Sequence, residues 1–289
     1  MTKVIDSKNY SNEFELGKHR IALASYSFHG LHGAGKCDVF TYLEMLRSRY
    51  HVQWADIWTG YIPEPDKDFA AKIRKVMDNY GIRLANLCID GPHLWMDKPE
   101  ERAAHKKTML GYIETGKILG AKTIRIDFGG KEGHTMPDEA FDYIVETYKE
   151  YCDICADSGI KIGPENHWGW DRVPEYLEKV YKAVDHPAYG HLFHFTNFFD
   201  EPERGLETVL KYAMHTHVSA SSLPVAKETI RKLHNAGYKG AYSVEHHSGK
   251  FERERVEWQL GAVRSFTSEL MEEGTDKTVE EDYRPSIYK

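Results

Sequence analysis

The sequence predicts a single-domain α/β fold, a (β/α)8 TIM barrel, on three observations. The 289 residues suit one barrel of this class, which needs roughly 250. Strand-like apolar runs alternate with helical runs eight times, at intervals of roughly 25 to 40 residues. The C-terminal ends of the strand-like runs are polar all the way along the chain. An open doubly wound sheet would share the alternation, but no Gly-x-Gly-x-x-Gly turn follows the first strand and the polar ends do not gather at one switch point.

In chain order, residues 1–20 are polar and aperiodic and are expected to form an arm, with the barrel over 21–272. Ile21 to His29 reads as the first strand, ended by Gly30 and a glycine-rich loop through Gly35. Phe40 to Tyr50 is helical by spacing, Gln53 to Trp58 is the second strand, and Pro63, Pro65 and Asp66 break the chain. Asp68 to Tyr80 is a helix stopped by Gly81, and Ile82 to Asp90 the third strand. Pro99 to Leu119 is a helix closed by Gly120, followed by strand Lys122 to Phe128 and the turn Gly129-Gly130.

Asp138 to Ser158 is a helix with Gly159 as its stop, before the fifth strand, Ile160 to Glu165. The helix Val173 to Val184 leads to the sixth strand, His191 to Phe195, and the short helix Glu203 to Leu210 to the seventh, Ala213 to Val218. Val225 to Ala236 is a helix, Gly240 to Glu245 the eighth strand, and Glu252 to Met271 the last helix. Residues 273–289 are charged and turn-rich, the composition of a flexible tail.

Composition narrows the function. A formal charge of −7 supplies no basic field for a phosphate backbone, so no nucleic-acid partner is expected. The N-terminus lacks the apolar core of a signal peptide and no stretch is long enough to span a bilayer, which predicts a soluble, cytoplasmic protein with no membrane partner. The four cysteines are too few for a disulfide framework, and Cys152-x-x-Cys155 lies within a helical run, where buried thiols are expected instead of a redox or zinc pair. The sequence is compatible with a homo-oligomer.

Side chains two apart on a strand share a face. On the fourth strand Ile124, Ile126 and Phe128 form the outer, apolar set, which leaves Thr123, Arg125 and Asp127 inside. The same parity turns Gly163 and Glu165, His194, His215 and His217, and Ser243 and Glu245 inward, and sends Met214 and Val218 outward. Earlier strands add His29, Trp58, Asn86 and Asp90. A polar residue at the C-terminal end of a barrel strand is where this fold carries its active site. Glu165, His194, His217 and Glu245 come from four consecutive strands and could surround one divalent cation, most readily Mn²⁺, with Co²⁺, Fe²⁺, Zn²⁺ or Mg²⁺ as alternatives. The competing expectation is a salt-bridged polar core in which Arg125 neutralises Glu165.

Pro164-Glu165-Asn166, His215-Thr216-His217 and Val244-Glu245, in this order on an eightfold βα chain, resemble the strand ends of the xylose isomerase-like superfamily of sugar isomerases and epimerases. Ala24 to His29 is similar to that superfamily's first strand, and the resemblance covers roughly Ile21 to Phe266. It implies a metal set of Glu, Asp, His and Glu from strands five to eight, of which Glu165, His217 and Glu245 match. His194 stands where the aspartate is expected, and Asn197 in the substrate-contacting position. Leu223 replaces the arginine that the epimerases carry six residues after the strand-seven histidine.

The expected chemistry is proton transfer next to a carbonyl through an enediolate, with Glu165 and Glu245 as base and acid, in a metal-dependent carbohydrate isomerase or epimerase. The alternative is a lyase or dehydratase performing β-elimination on a keto sugar or keto-glycoside, with a histidine protonating the leaving group. Expected substrate contacts are His29, Trp58, Asp127, His167, Asn197, His215, His247 and Lys250. Trp95, Trp168 and Trp170 are further candidates for stacking on a sugar. Phosphodiester cleavage by a multi-zinc cluster runs against the negative charge, and a non-catalytic sugar-binding protein is a fourth reading.

Overall fold

The computed structural model describes residues 20–131 and 133–274, the side chains of 272–274 excepted. The expected arm at 1–20 and tail at 273–289 therefore lie outside the described residues, apart from Arg20 and the end of the last helix. The strands are β1 Ile21–Ala24, β2 Trp54–Trp58, β3 Arg83–Cys88, β4 Thr123–Arg125, β5 Lys161–Gly163, β6 His191–His194, β7 Ala213–Ser219 and β8 Tyr242–Glu245. They form one parallel sheet in the order β5-β4-β3-β2-β1-β8-β7-β6.

The two ends of that sheet meet. Isolated bridges Ile162↔Tyr189 and Glu165↔Leu192 join the β5 and β6 segments, so the sheet is a nearly closed barrel. Asn166 completes the seam with its side chain: Nδ2 donates to His194 O at 2.8 Å and Oδ1 accepts from His194 N at 2.7 Å. Gly163 is required there, since a Cβ at this position would lie 1.7 Å from Gly190 O.

The helices covering the barrel are α1 Val39–Met45, α2 Lys67–Tyr80, α3 Pro99–Leu119, α4 Asp138–Ala156, α5 Pro174–Val184, α6 Pro202–Tyr212, α7 Leu223–Asn235 and α8 Glu252–Gly274. Their starts and stops follow local chemistry. Asp38 and Asp66 accept from Thr41 N and Phe69 N at 2.8 and 2.6 Å as N-caps. Gly81 and Gly120 close α2 and α3 in the left-handed conformation. The outward residues of the strands and the inner faces of the helices make the principal apolar core, in which Ile124, Ile126, Phe128, Ile162 and Val244 are fully buried. Each such side chain contributes about 1.5–3 kcal/mol.

Five strands, the first and the third to sixth, end earlier than expected. The first stops at Ala24, and Ser25–Phe28 is a 3₁₀ turn leading into the short helix His29–Gly33. Ser25 Oγ there accepts from Trp58 N at 2.9 Å, and Ser27 Oγ from His246 N at 3.0 Å, so hydroxyls replace the ladder. The fourth stops at Arg125, although Ile126 N still donates to Gly163 O at 3.0 Å; at Phe128 the backbone N donates to the Asp171 carboxylate instead, at 2.9 and 3.0 Å. The fifth stops at Gly163, although Glu165 still bridges Leu192.

Met214 is a correction to the strand-seven pattern. The β6–β7 register slips between His191 and Leu192, whose partners are Ala213 and His215. The extra residue, Met214, packs with Leu192 and Cys88 in a small separate cluster instead of facing the helices.

Candidate active site

Four strand ends converge on His217, which is fully buried. Its Nδ1 lies 2.8 Å from Glu165 Oε1 and 3.3 Å from Glu245 Oε2. Its Nε2 lies 2.9 Å from Asp56 Oδ2. His194 Nε2 is 3.5 Å from Glu245 Oε2, and His247 Nε2 is 2.8 Å from the same oxygen and 3.4 Å from His194 Nε2. Glu165, His217 and Glu245 thus form one group with metal-ligand spacing, and His194, Glu245 and His247 a second that shares Glu245.

The carboxylates are also salt-bridged. Arg125, buried on β4, places Nε 3.1 Å from Glu165 Oε2 and Nη1 2.9 Å from Asp127 Oδ2, and pairs closely with Asp90 as well. Neither Arg125 Nε nor Glu165 Oε2 gains a hydrogen bond from this approach. Glu165 Oε2 is therefore an acceptor without a donor, in a place where several kcal/mol of desolvation must be compensated.

The electrostatics follow from these distances. Burial opposes charge on His217, but Glu245, Glu165 and Asp56 together hold its pKa well above the usual imidazole value. Glu165 is penalised by burial, yet His217, His167 and Arg125 bring it down to about 2. Glu245 is likewise held well below the carboxylate range, by His217, His194 and His247 against its burial. Burial raises the Cys88 thiol to about 12, with the Asp56 charge adding to it. Cys37, Cys88, Cys152 and Cys155 are all buried and free.

A cavity of about 150 Å³ opens beside this cluster, and Tyr26, Trp58, Asp90, His167, Trp168, Glu245 and His247 are among the residues lining it. Trp58, His167 and His247 are thus on the cavity wall. His29 lies behind the wall, stacked on Tyr26 with ring centroids 4.6 Å apart and with Nδ1 on Tyr26 O at 2.8 Å. Asp127 sits beneath His167, 3.5 Å from its Nδ1, and accepts from Glu165 N at 3.0 Å.

Three expected substrate contacts fall elsewhere. His215 is buried one layer down the barrel, bound to Asp56 Oδ2 at 2.8 Å. Asn197 donates its Nδ2 to Asn166 O at 2.8 Å, beside the seam. Lys250 is exposed, and its carbonyl faces His246 Nε2 at 3.4 Å. Of the other tryptophans, Trp95 is buried under Arg102, whose guanidinium lies 4.2 Å from the ring centroid. Trp170 is buried with Nε1 on His134 O at 2.8 Å. Asp56, Cys88 and Tyr26 line the cavity and were not singled out from the sequence. For Asp56 the signal was available, because it shares a strand face with Trp58.

Two carboxylates and two or three imidazoles around one point are the donor set of a divalent transition-metal site, and the buried cluster in a barrel mouth supports metal-dependent catalysis of a small molecule in general terms. No helix of the described residues is long and apolar enough to cross a membrane.

Solved structures share this architecture at low identity. D-allulose 3-epimerase from Methylomonas sp. superimposes with a TM-score of 0.69 at 13% identity, over 86% of this chain and 97% of that one. The probable 3-DHS dehydratase AsbF from Bacillus anthracis gives 0.64 at 12%, over 85% and 98%. A xylose isomerase-like TIM barrel protein from Mycobacterium smegmatis, solved in complex with magnesium, gives 0.64 at 17%, over 86% and 97%. No curated protein sequence matches significantly. The family model for the xylose isomerase-like TIM barrel matches residues 40–266, most of the chain, and the protein belongs to that family.

Proposed function

We propose that this protein is a divalent-metal-dependent carbohydrate isomerase or epimerase that moves a proton on the carbon next to a carbonyl. The observation that carries the reading is the convergence of Glu165, His217 and Glu245, with His194 alongside, next to a cavity walled by Tyr26, Trp58 and Trp168. Glu165, His194, His217 and Glu245 would hold the ion, and the unsatisfied, buried Glu165 Oε2 fits a cation. Mn²⁺ is the first choice for this mixed O/N set, followed by Co²⁺, Fe²⁺, Zn²⁺ or Mg²⁺.

Bound there, such an ion supplies Lewis-acid stabilisation of the enediolate charge. The chain's own groups do the rest. Glu245 lines the cavity and takes or returns the carbon-bound proton from its side. Glu165, held by Arg125 and His217, serves the opposite face. Return of the proton at the other face gives epimerisation, and at the neighbouring carbon isomerisation. Trp58 and Trp168 offer apolar faces to a sugar, and His167 and His247 offer hydrogen bonds to its hydroxyls.

A second reading has its own observation. His247 Nε2 and Glu245 Oε2 stand 2.8 Å apart on the same cavity wall, a base and an acid side by side. Glu245 taking the proton while His247 protonates a leaving group on the next carbon is a β-elimination, the lyase or dehydratase alternative. Both a D-allulose 3-epimerase and a probable 3-DHS dehydratase share the fold, so fold does not choose between them. Free, buried thiols go with a reducing, cytoplasmic setting.

The test is incubation in D₂O with a panel of keto sugars and oxidised glycosides, comparing chelated and Mn²⁺-restored protein by NMR and mass spectrometry. Metal-dependent deuterium next to a carbonyl with product mass conserved, apart from the label, supports the first reading, and loss of water or an alcohol the second. Absence of exchange and of elimination across the panel, in restored protein as in a Glu165→Gln control, counts against both for those substrates.

A further inference from the structure

Below the Glu165–His217–Glu245 cluster lies a carboxylate outside the proposed ligand set, although it reaches the cavity and stands within metal-ligand spacing of Cys88 and His217. Asp56, on β2, is 1% exposed. Its Oδ2 accepts from His217 Nε2 at 2.9 Å, His215 Nε2 at 2.8 Å and Ser243 Oγ at 2.7 Å. Its Oδ1 accepts from Asn86 Nδ2 at 3.0 Å, and Asn86 is in turn fixed by Thr123 Oγ1, which donates to Asn86 Oδ1 at 2.7 Å. Strands β2, β3, β4, β7 and β8 therefore all contribute to holding one carboxylate in one orientation.

A carboxylate is an acceptor only, so each histidine must present a proton at Nε2. For His217 the consequence reaches the cluster above. Both ring nitrogens face carboxylate oxygens, Nδ1 those of Glu165 and Glu245; with Nε2–H committed to Asp56, the proton a cation would displace is the one on Nδ1, leaving that nitrogen's lone pair for ligation. The ring is held from below in the tautomer and the plane that ligation from above requires.

We propose that Asp56 is a positioning residue for the metal centre, fixing His217 as the Nε2–H tautomer so that Nδ1 ligates. This rests on the metal-site reading given above. A merely structural Asp56 would anchor the β2–β7–β8 side of the barrel without dictating which nitrogen of His217 binds.

The test uses the full chain with ¹⁵N-labelled histidine, loaded with diamagnetic Zn²⁺, and long-range ¹H–¹⁵N correlation, the His217 signals being assigned from a His217→Gln spectrum. In the wild type His217 carries its proton on Nε2 and its metal on Nδ1. In Asp56→Asn, Mn²⁺ affinity, read from free Mn²⁺ by electron paramagnetic resonance, falls roughly 10–100-fold, and the single tautomer is lost. A wild-type His217 bound through Nε2 overturns the proposal whether or not the variant folds. So does a folded Asp56→Asn protein that holds Mn²⁺ within about threefold of wild type. A wild type that binds neither ion overturns the metal reading and this proposal together. Binding to wild type with an indifferent Asp56→Asn overturns this proposal alone.

Discussion

Arg125 Nε and Glu165 Oε2 approach to 3.1 Å inside the barrel, both nearly inaccessible to solvent. The guanidinium also pairs with Asp90 and Asp127, so a single cation compensates three carboxylates. Burial disfavours its charge, yet Asp127 and Asp90 keep its pKa well above even the usual guanidinium value. Replacement by an isosteric apolar residue, Arg125→Met, strands those carboxylates. The expected loss is about 3–5 kcal/mol of stability, measured by urea denaturation. Because the stranded groups are anions, part of the loss is expected to be recovered when Mn²⁺ is added. A variant as stable as wild type would show that the acids are compensated otherwise.

Glu245 and Glu165 differ in access, and that difference predicts different kinetics. Glu245 lines the cavity, whereas Glu165 is 1% exposed and bound to Arg125 and His217. Glu245→Gln is expected to reduce deuterium exchange into a turned-over substrate by roughly 10²–10⁴-fold. Glu165→Gln is expected to weaken metal binding as well, since the buried anion is lost from the ligand cluster. Parallel exchange and metal-titration measurements on both variants separate the roles. Equal metal affinity in wild type and Glu165→Gln would remove Glu165 from the ligand set.

The seam between β5 and β6 combines backbone bridges with one side chain. Asn166 takes both backbone hydrogen-bonding groups of His194, and its own carbonyl accepts from Asn197 Nδ2 at 2.8 Å. Asn166→Ala leaves a buried N–H and C=O unpaired, at about 1–3 kcal/mol each. Amide hydrogen exchange is expected to accelerate across His191–His194, and metal affinity to fall because His194 loses its anchor. Unchanged protection in β6 would show that the isolated bridges suffice to close the barrel.

What was legible in the sequence was periodic, and what was not was irregular. Alternating apolar residues such as Ile124, Ile126 and Phe128 placed the strands and turned Glu165, His194, His217 and Glu245 toward a shared interior. Parity counting fails where a strand carries an extra residue, as at Met214, which the slip beside Leu192 turns away from the helices. Periodicity overextends strand ends where backbone donors leave the ladder for side chains, as Phe128 N does for Asp171. Asp56 was legible in principle, two residues before the inward Trp58. Its role depends on His215, His217, Ser243 and Asn86 arriving from three other strands, which no local pattern reports. The tryptophans show the same limit, since Trp95 and Trp168 both sit in loops and only packing distinguishes the buried one from the exposed one.

His191 carries a pH prediction remote from the ligand cluster. It is buried on β6 among the rings of Tyr181, Tyr189 and Tyr212, with centroids 5.8, 5.7 and 5.8 Å away. Neither ring nitrogen has a hydrogen-bond partner, and burial pushes its pKa down from 6.5 to about 3. The folded state therefore prefers the neutral ring, while the unfolded chain binds a proton once pH falls below about 6.5. The contribution is fully present above that value and is lost as pH drops toward 3, by up to about 1.4 kcal/mol per pH unit. Urea midpoints measured from pH 8 to pH 4 should fall more steeply for wild type than for His191→Phe, which keeps an aromatic ring and has nothing to protonate. Parallel curves for the two proteins would mean that His191 takes up its proton in the folded barrel as readily as in the unfolded chain.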